Sequence, residues 1–129
     1  MSEEKTIASP QPNPETQKFW DAAKEGKLLI MRCKDTGKPY YYPRARSPFT
    51  GSDNVEWVEA NGTGEIYTFS VMKRSKIPYC IAYVRLDEGV TMMTNIVDTD
   101  LDKVAIGQKV KLVFKPSEDG QPVPMFTPA

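Results

Sequence analysis

The 129-residue chain has no histidine. That removes the side chain that most often serves as a general base near neutral pH and as a metal ligand. Cysteine is scarce: Cys33 and Cys80 are the two present, 47 residues apart. In a reducing compartment such a pair stays free rather than forming a disulfide. No stretch approaches the ~20 apolar residues needed to cross a bilayer. Net charge is also missing, since 17 basic residues balance 17 acidic ones. That disfavours a nucleic-acid partner held by a basic groove. Neither a G-x-S-x-G elbow nor a phosphate-binding glycine loop is present. Asp87 and Glu88 are adjacent in a hairpin turn, where they are expected to point apart and make a poor acid–base pair. Nothing left resembles a self-sufficient active site, so the chain is expected not to be an enzyme, and no catalytic residue is assigned.

The length suits one domain, or one domain with a small appendage. Eleven prolines gather mainly at 10–14, 39–48 and 116–128, marking the tails and one internal loop. Residues 1–12 are polar and lack an apolar signal core, which predicts a disordered lead-in and a cytoplasmic chain. Next comes the one good helix signal. Asn13 suits a cap, Pro14 the first helical position and Gly26 the stop, with Phe19, Trp20 and Ala23 on one face.

Residues 13–54 are expected to hold this helix and two turn-rich knuckles about a short hairpin. Leu28–Cys33 supplies one strand and Pro39–Pro43 an edge strand. From 55 to 129 the pattern becomes five short strands. The first runs from Val55 to Val71 and bends at Asn61-Gly62-Thr63-Gly64. The others are Tyr79–Leu86, Val90–Val97, Lys109–Lys115 and Val123–Phe126. A bent first strand followed by four more fits a closed barrel of OB type. The predicted fold class is thus mainly β, a helix and ribbon hairpin ahead of a five-stranded OB barrel. Met92 and Met93 are adjacent on a strand, so one should face the barrel and the other the outside.

The segments NPETQKFWDAAKEGKLLIMRC, CKDTGKPYYYPR, PYCIAYVRLDEGVTMMTNIVD and IGQKVKLVF carry a resemblance. Together they resemble the zinc-ribbon/OB-fold family of acyl-CoA-associated proteins, long catalogued as a domain of unknown function. The likeness runs from Asn13 to Phe126, and the P-E-T-x-x-F-W helix followed by G-x-L-L is its most specific part. The family's ribbon usually carries C-x-x-C twice. Here the matching positions are Cys33, Thr36, Ser47 and Thr50. Structural zinc needs four Cys or His ligands, so no zinc and no other metal is expected. The knuckles must instead be held by turn hydrogen bonds and aromatic packing. Cys33 is then a small, partly buried side chain; a reactive thiol would need a depressed pKa. Cys80 is core filler.

The resemblance implies a non-catalytic accessory subunit of a thiolase-like or enoyl-CoA hydratase-like enzyme in lipid, steroid or polyketide-type metabolism, binding acyl-CoA or completing the partner's substrate channel. Lys73, Arg74 and Lys76, beside Tyr79, are candidates to hold the phosphates of acyl-CoA. Arg44 and Arg46 join them if the second knuckle faces the same way. Phe19 and Trp20 are candidate anchors for the partner. The alternatives are a stand-alone acyl-CoA-binding module and a single-stranded nucleic-acid binder. For the latter, the aromatics are expected to be interior or knuckle-bound. Asp98-x-Asp100-x-Asp102 lacks the glycine and terminal glutamate of a calcium loop and is expected to be a solvated turn capping a short helix.

Overall fold

A computed structural model of the chain describes residues 6–129; residues 1–5 of the expected lead-in lie outside the described residues. One helix, α1 (Gln17–Lys24), precedes eight strands: β1 (Leu29–Cys33), β2 (Pro39–Tyr40), β3 (Val55–Glu59), β4 (Thr63–Met72), β5 (Tyr79–Leu86), β6 (Thr91–Ile96), β7 (Lys109–Pro116) and β8 (Pro122–Pro128). Among the described residues no helix is long and apolar enough to cross a membrane.

The helix starts later than the sequence predicts. Asn13 and Thr16 form a closed turn ahead of it: the Thr16 N–H donates to Asn13 Oδ1 and the Asn13 N–H to Thr16 Oγ1, both at 3.0 Å. Asx turns of this kind compete with helical hydrogen bonding, so Gln17 is the first helical residue. The stop falls where expected. The Gly26 N–H reaches Ala23 O and the Lys27 N–H reaches Ala22 O, the paired bonds of a Schellman ending.

The strands form two sheets. The first has the order β2-β1-β3, all antiparallel, with Met31 opposite both Tyr40 and Trp57. The second is a closed barrel in the order β4-β5-β6-β8-β7, sealed by β4 against β7 from Thr63↔Lys111 to Glu65↔Lys109. Its β6–β8 pairing is parallel and the rest are antiparallel. The predicted single bent strand from Val55 to Val71 is therefore two strands in two sheets. Val55–Glu59 pairs with β1, and the chain enters the barrel only after Ala60–Gly62. Half-burial along most of β3 removes the in–out alternation that would have flagged the break.

Inside the barrel the alternation is clean. Cys80, Ala82, Val84 and Leu86 on β5, and Met92, Thr94 and Ile96 on β6, point inward against Ile66, Val110 and Phe126. Met93 faces out, as its neighbour's burial requires. The same core takes in Phe19, Trp20, Leu28 and Ile30, so helix and ribbon are packed on the barrel. Gly64, opposite Leu86 in the β4–β5 register, sits hard against the β5 backbone. A Cβ there would stand 2.4 Å from the Arg85 carbonyl oxygen. Because the obstacle is backbone, Gly64→Ala is expected to destabilise the chain by about 3 kcal/mol, as overpacking of a tight core does. A urea melt with an unchanged midpoint would show that the two strands separate freely.

Candidate functional site

The two ribbon knuckles are near copies of each other. Cys33-Lys34-Asp35-Thr36-Gly37 and Ser47-Pro48-Phe49-Thr50-Gly51 share one hydrogen-bond plan. The Gly37 N–H donates to Cys33 O at 2.8 Å and the Gly51 N–H to Ser47 O at 2.9 Å. Both glycines have φ near +75° (73° and 75°), a region costly for side chains other than glycine. The Lys38 N–H reaches Thr36 Oγ1 and the Ser52 N–H reaches Thr50 Oγ1, each at 3.2 Å. At the first position of the second knuckle, Ser47 Oγ accepts from the Phe49 and Thr50 N–H groups at 3.1 and 3.3 Å. Cys33 sulfur takes the matching bonds from Asp35 and Thr36.

Hydroxyls of Ser47 and then Thr36, with those backbone donors, bring the Cys33 thiol down from 9.0 to about 7 against an opposing push from burial. Asp35 crosses between the knuckles, accepting from Asn54 Nδ2 at 2.8 Å and from Thr50 Oγ1 at 3.5 Å. These donors do not fit zinc. One sulfur and three neutral hydroxyls are a poor set for a tetrahedral site, and each hydroxyl oxygen is already an acceptor for backbone N–H groups. Among the described residues no cluster of three or more His, Cys, Asp or Glu is placed to hold a metal.

The barrel carries a larger feature, a groove of about 860 Å³. It opens over the one parallel seam. Here β6 and β8 share a single register pair, Ile96↔Phe126. Pro122 and Pro124 leave β8 short of N–H donors, and the Pro124 carbonyl instead accepts from Thr94 Oγ1 at 3.4 Å. The walls are largely apolar: Ile77, Ile81, Met93, Leu101 and Met125 among them. Thr6, Thr94, Asn95 and Thr99 interrupt them, as does one ion pair, Lys115 Nζ to Asp98 Oδ1 at 2.8 Å. Asp98 has φ 58°, the one non-glycine residue with positive φ among those described, and its turn aims the carboxylate at Lys115.

The sequence candidates divide around this groove. Tyr79 lines it, and Lys73, Arg74 and Lys76 are exposed on the β4–β5 loop, immediately before its lining residues Ile77 and Pro78. Lys73 also lies 4.0 Å from Asp102, next to the lining residue Leu101. Arg44 and Arg46 are elsewhere. They line a shallow cleft with Glu15 that shares no residue with the groove. There Arg46 Nη1 donates to Gly51 O at 3.1 Å, while Glu15 accepts from the Ala45 N–H at 2.7 Å. Phe19 and Trp20 are buried in the chain's own core, 1% and 8% exposed.

Two local readings need correction. Asp87 and Glu88 do not point apart. Asp87 accepts from Thr63 and Asn61 side chains and Glu88 Oε2 from the Asn61 N–H, so both bind the bend that leads into β4. The hydrogen bonds from Thr63 and Asn61 hold the Asp87 carboxyl below its usual range. Nor are the barrel aromatics all interior. Tyr67 and Tyr83 are 55% and 45% exposed on the outer face, with Arg85 stacked 4.8 Å from the Tyr67 ring centre and Met93 paired across from Tyr83. The acidic run behaves as expected, with Asp100 capping a 3-10 turn at Leu101–Lys103. Sequence reading missed Ile81, Met93, Leu101 and the Lys115–Asp98 pair. The outward places in the β5 and β6 alternation were the signal for Ile81 and Met93; Leu101, Asp98 and Lys115 lie outside those strands and had none.

Comparison with known proteins agrees with this architecture. Residues 20–56 match the family described as “ChsH2, rubredoxin-like zinc ribbon domain” and residues 57–115 “ChsH2, C-terminal OB-fold domain”. The chain is 35% identical to a “Probable enoyl-CoA hydratase alpha subunit” of Thermomonospora curvata over 86% of its own length, but it spans only 37% of that protein. It is 34% identical to a “DUF35 domain-containing scaffold protein” of Methanocaldococcus jannaschii, covering 78% of each chain. A solved structure named “Ltp2-ChsH2(DUF35) aldolase” superposes with a TM-score of 0.81 at 32% identity, covering 93% of this chain and 98% of that one. In sequence, ribbon and barrel alike, the chain belongs to the ChsH2/DUF35 family.

Proposed function

We propose that the chain is a non-catalytic accessory subunit that docks on a thiolase-like or enoyl-CoA hydratase-like enzyme and completes that enzyme's acyl-CoA channel. The observation that carries this reading is the likeness, over nearly the whole chain, to the ChsH2(DUF35) component of an aldolase. The chain lacks histidine, the side chain most often used as a general base near neutral pH, which fits a partner that supplies that chemistry. Lys73, Arg74 and Lys76 are the proposed contacts for the coenzyme's phosphates, with Tyr79 beside them. Arg44 and Arg46 lie in the other cleft and are assigned to the partner's side. With Phe19 and Trp20 buried, the exposed row of Tyr67, Tyr83 and Met93 has the composition of an interface core.

The test is gentle purification of the tagged chain from its own cells with mass spectrometry of what accompanies it. A thiolase- or hydratase-like enzyme in fixed ratio is the expected result. A chain that emerges alone sinks the reading. The same exposed tyrosines, with Arg85, favour a second reading as a single-strand nucleic-acid binder, because bases stack on such side chains. Zero net charge weighs against it, and an oligonucleotide mobility shift at low salt decides.

A further inference from the structure

The chain passes the groove before it reaches α1. Thr6, Ile7 and Ala8 line it. Ile7 is the only large aliphatic or aromatic side chain between Ser2 and Gln17, and it is half-buried. Two hydrogen bonds from the β7–β8 turn fasten this segment. The Glu118 N–H donates to Ile7 O at 2.9 Å and the Asp119 N–H to Ser9 Oγ at 3.2 Å. We propose that residues 6–9 are a hinged strap, a detachable wall that latches on the β7–β8 turn and holds an apolar occupant in the groove. The strap requires the groove and no particular partner, so it stands or falls apart from the accessory-subunit reading.

Catch, hinge and moderate strength are all present. The catch is a turn that holds itself: the Ser117 N–H donates to Gln121 O at 2.9 Å, and Gly120 takes φ 89°. The Asp119 carboxylate braces it, accepting from Ser117 Oγ at 2.7 Å and from the Gln121 N–H at 3.2 Å. Those two bonds, and then one to the Ser9 hydroxyl, hold the Asp119 carboxyl below its usual range. The Glu118 and Asp119 N–H groups therefore keep their direction when the strap is off. The hinge lies at Pro10, Pro12 and Pro14, where alternate prolines favour extended chain. Its far end is fixed by the closed turn between Asn13 and Thr16. A released strap thus stays close, and relatching is an intramolecular event at high effective concentration. Two ordinary hydrogen bonds and one half-buried isoleucine favour the latched state by a factor on the order of 10–100. That keeps the wall in place for most of the time and still lets an occupant enter and leave.

The test uses anilinonaphthalene sulfonate, a dye that fluoresces when apolar surface shields it from water. Its affinity and its release rate are measured on the whole chain, on a chain lacking residues 1–9, and on Ile7→Ser. Amide hydrogen exchange at Glu118 and Asp119 is followed with and without dye. The deletion and Ile7→Ser are each expected to weaken dye binding about tenfold, mostly through faster release, as the loss of a half-buried isoleucine contact implies. Bound dye is expected to slow exchange at the two amides in the whole chain, and Ile7→Ser to speed it. The melting temperature of Ile7→Ser should stay near that of the whole chain, which separates a lost wall from a lost fold. Dye that binds both variants as tightly as the whole chain overturns the proposal. Dye that binds them more tightly overturns it too, since the segment would then be a plug. So does a whole chain that takes up no dye, or exchange at the two amides that ignores it.

Discussion

Replacing Thr36, Ser47 and Thr50 together with cysteine is expected to turn the ribbon into a zinc site. The variant should bind one zinc ion per chain and gain stability that a chelator removes. The reason is that the metal's ligands have changed while the backbone that would present them has not. In both knuckles the first side chain of the motif accepts from the N–H groups two and three residues on, and the fourth accepts from the N–H two residues beyond itself. The same i to i+4 bond and left-handed glycine close each turn. Sulfur at the three hydroxyl positions meets the same donors. Cys33 already meets Thr36 within its own knuckle and Ser47 across the gap, and Thr50 reaches Asp35 of the first knuckle at 3.5 Å, so the two knuckles face each other over these positions.

Structural zinc contributes about 10–16 kcal/mol of apparent binding free energy in small ribbon-like peptides. This ribbon is already folded on a barrel, so most of that gain should appear as affinity and a smaller part as added stability. The readouts are zinc content after gel filtration and melting temperature with and without chelator. Wild-type chain should respond to neither. A triple variant that folds but stays free of zinc would mean that the knuckles have drifted apart, and that Asp35 with the hydroxyls maintains a different spacing.

What the sequence could reveal depended on whether a signal was local. The barrel strands were legible because one face of each is buried and the other is not. Cys80, Ala82, Val84 and Leu86 alternate with exposed or half-exposed neighbours for a whole strand. β3 was not legible as a separate strand, since Val55 to Val58 is half-buried on both faces and runs straight toward a glycine bend. The missing zinc ligands could be read by matching Cys33, Thr36, Ser47 and Thr50 to the two C-x-x-C pairs of the family that the chain resembles. Their hydrogen-bond replacements could not, because Asp35, Asn54 and Thr50 meet only across the two knuckles. The groove escaped for the same reason: it gathers the ends of four strands, two turns and residues 6–8 at a seam that no single segment describes. Asp98 was read as a solvated turn residue, and nothing near it in sequence points to Lys115.

Phe19 tests the difference between an anchor and a keystone. Phe19→Ala is expected to destabilise the isolated chain by about 3–5 kcal/mol, the usual cost of removing a fully buried phenylalanine. For a chain of this size that lowers the melting temperature by roughly 10–20 °C. The ring stands edge-on to Trp20 at 4.9 Å and 85°, and to Tyr41 at 5.9 Å and 73°. It belongs to the same core as Ile66, Val84 and Phe126 of the barrel. Its removal therefore opens a cavity at the meeting point of helix, ribbon and barrel. Little can collapse into the space, because the α1 ending is fixed by its Schellman bonds and Gln121 Nε2 ties the Trp20 carbonyl to the start of β8 at 3.1 Å. The loss should be measurable with no partner present. An interface anchor behaves otherwise, since truncating it weakens the complex while the free chain melts where it did before. An unchanged melting temperature for Phe19→Ala, with weakened partner binding, would return Phe19 to the interface and require the helix to leave the core when the partner docks.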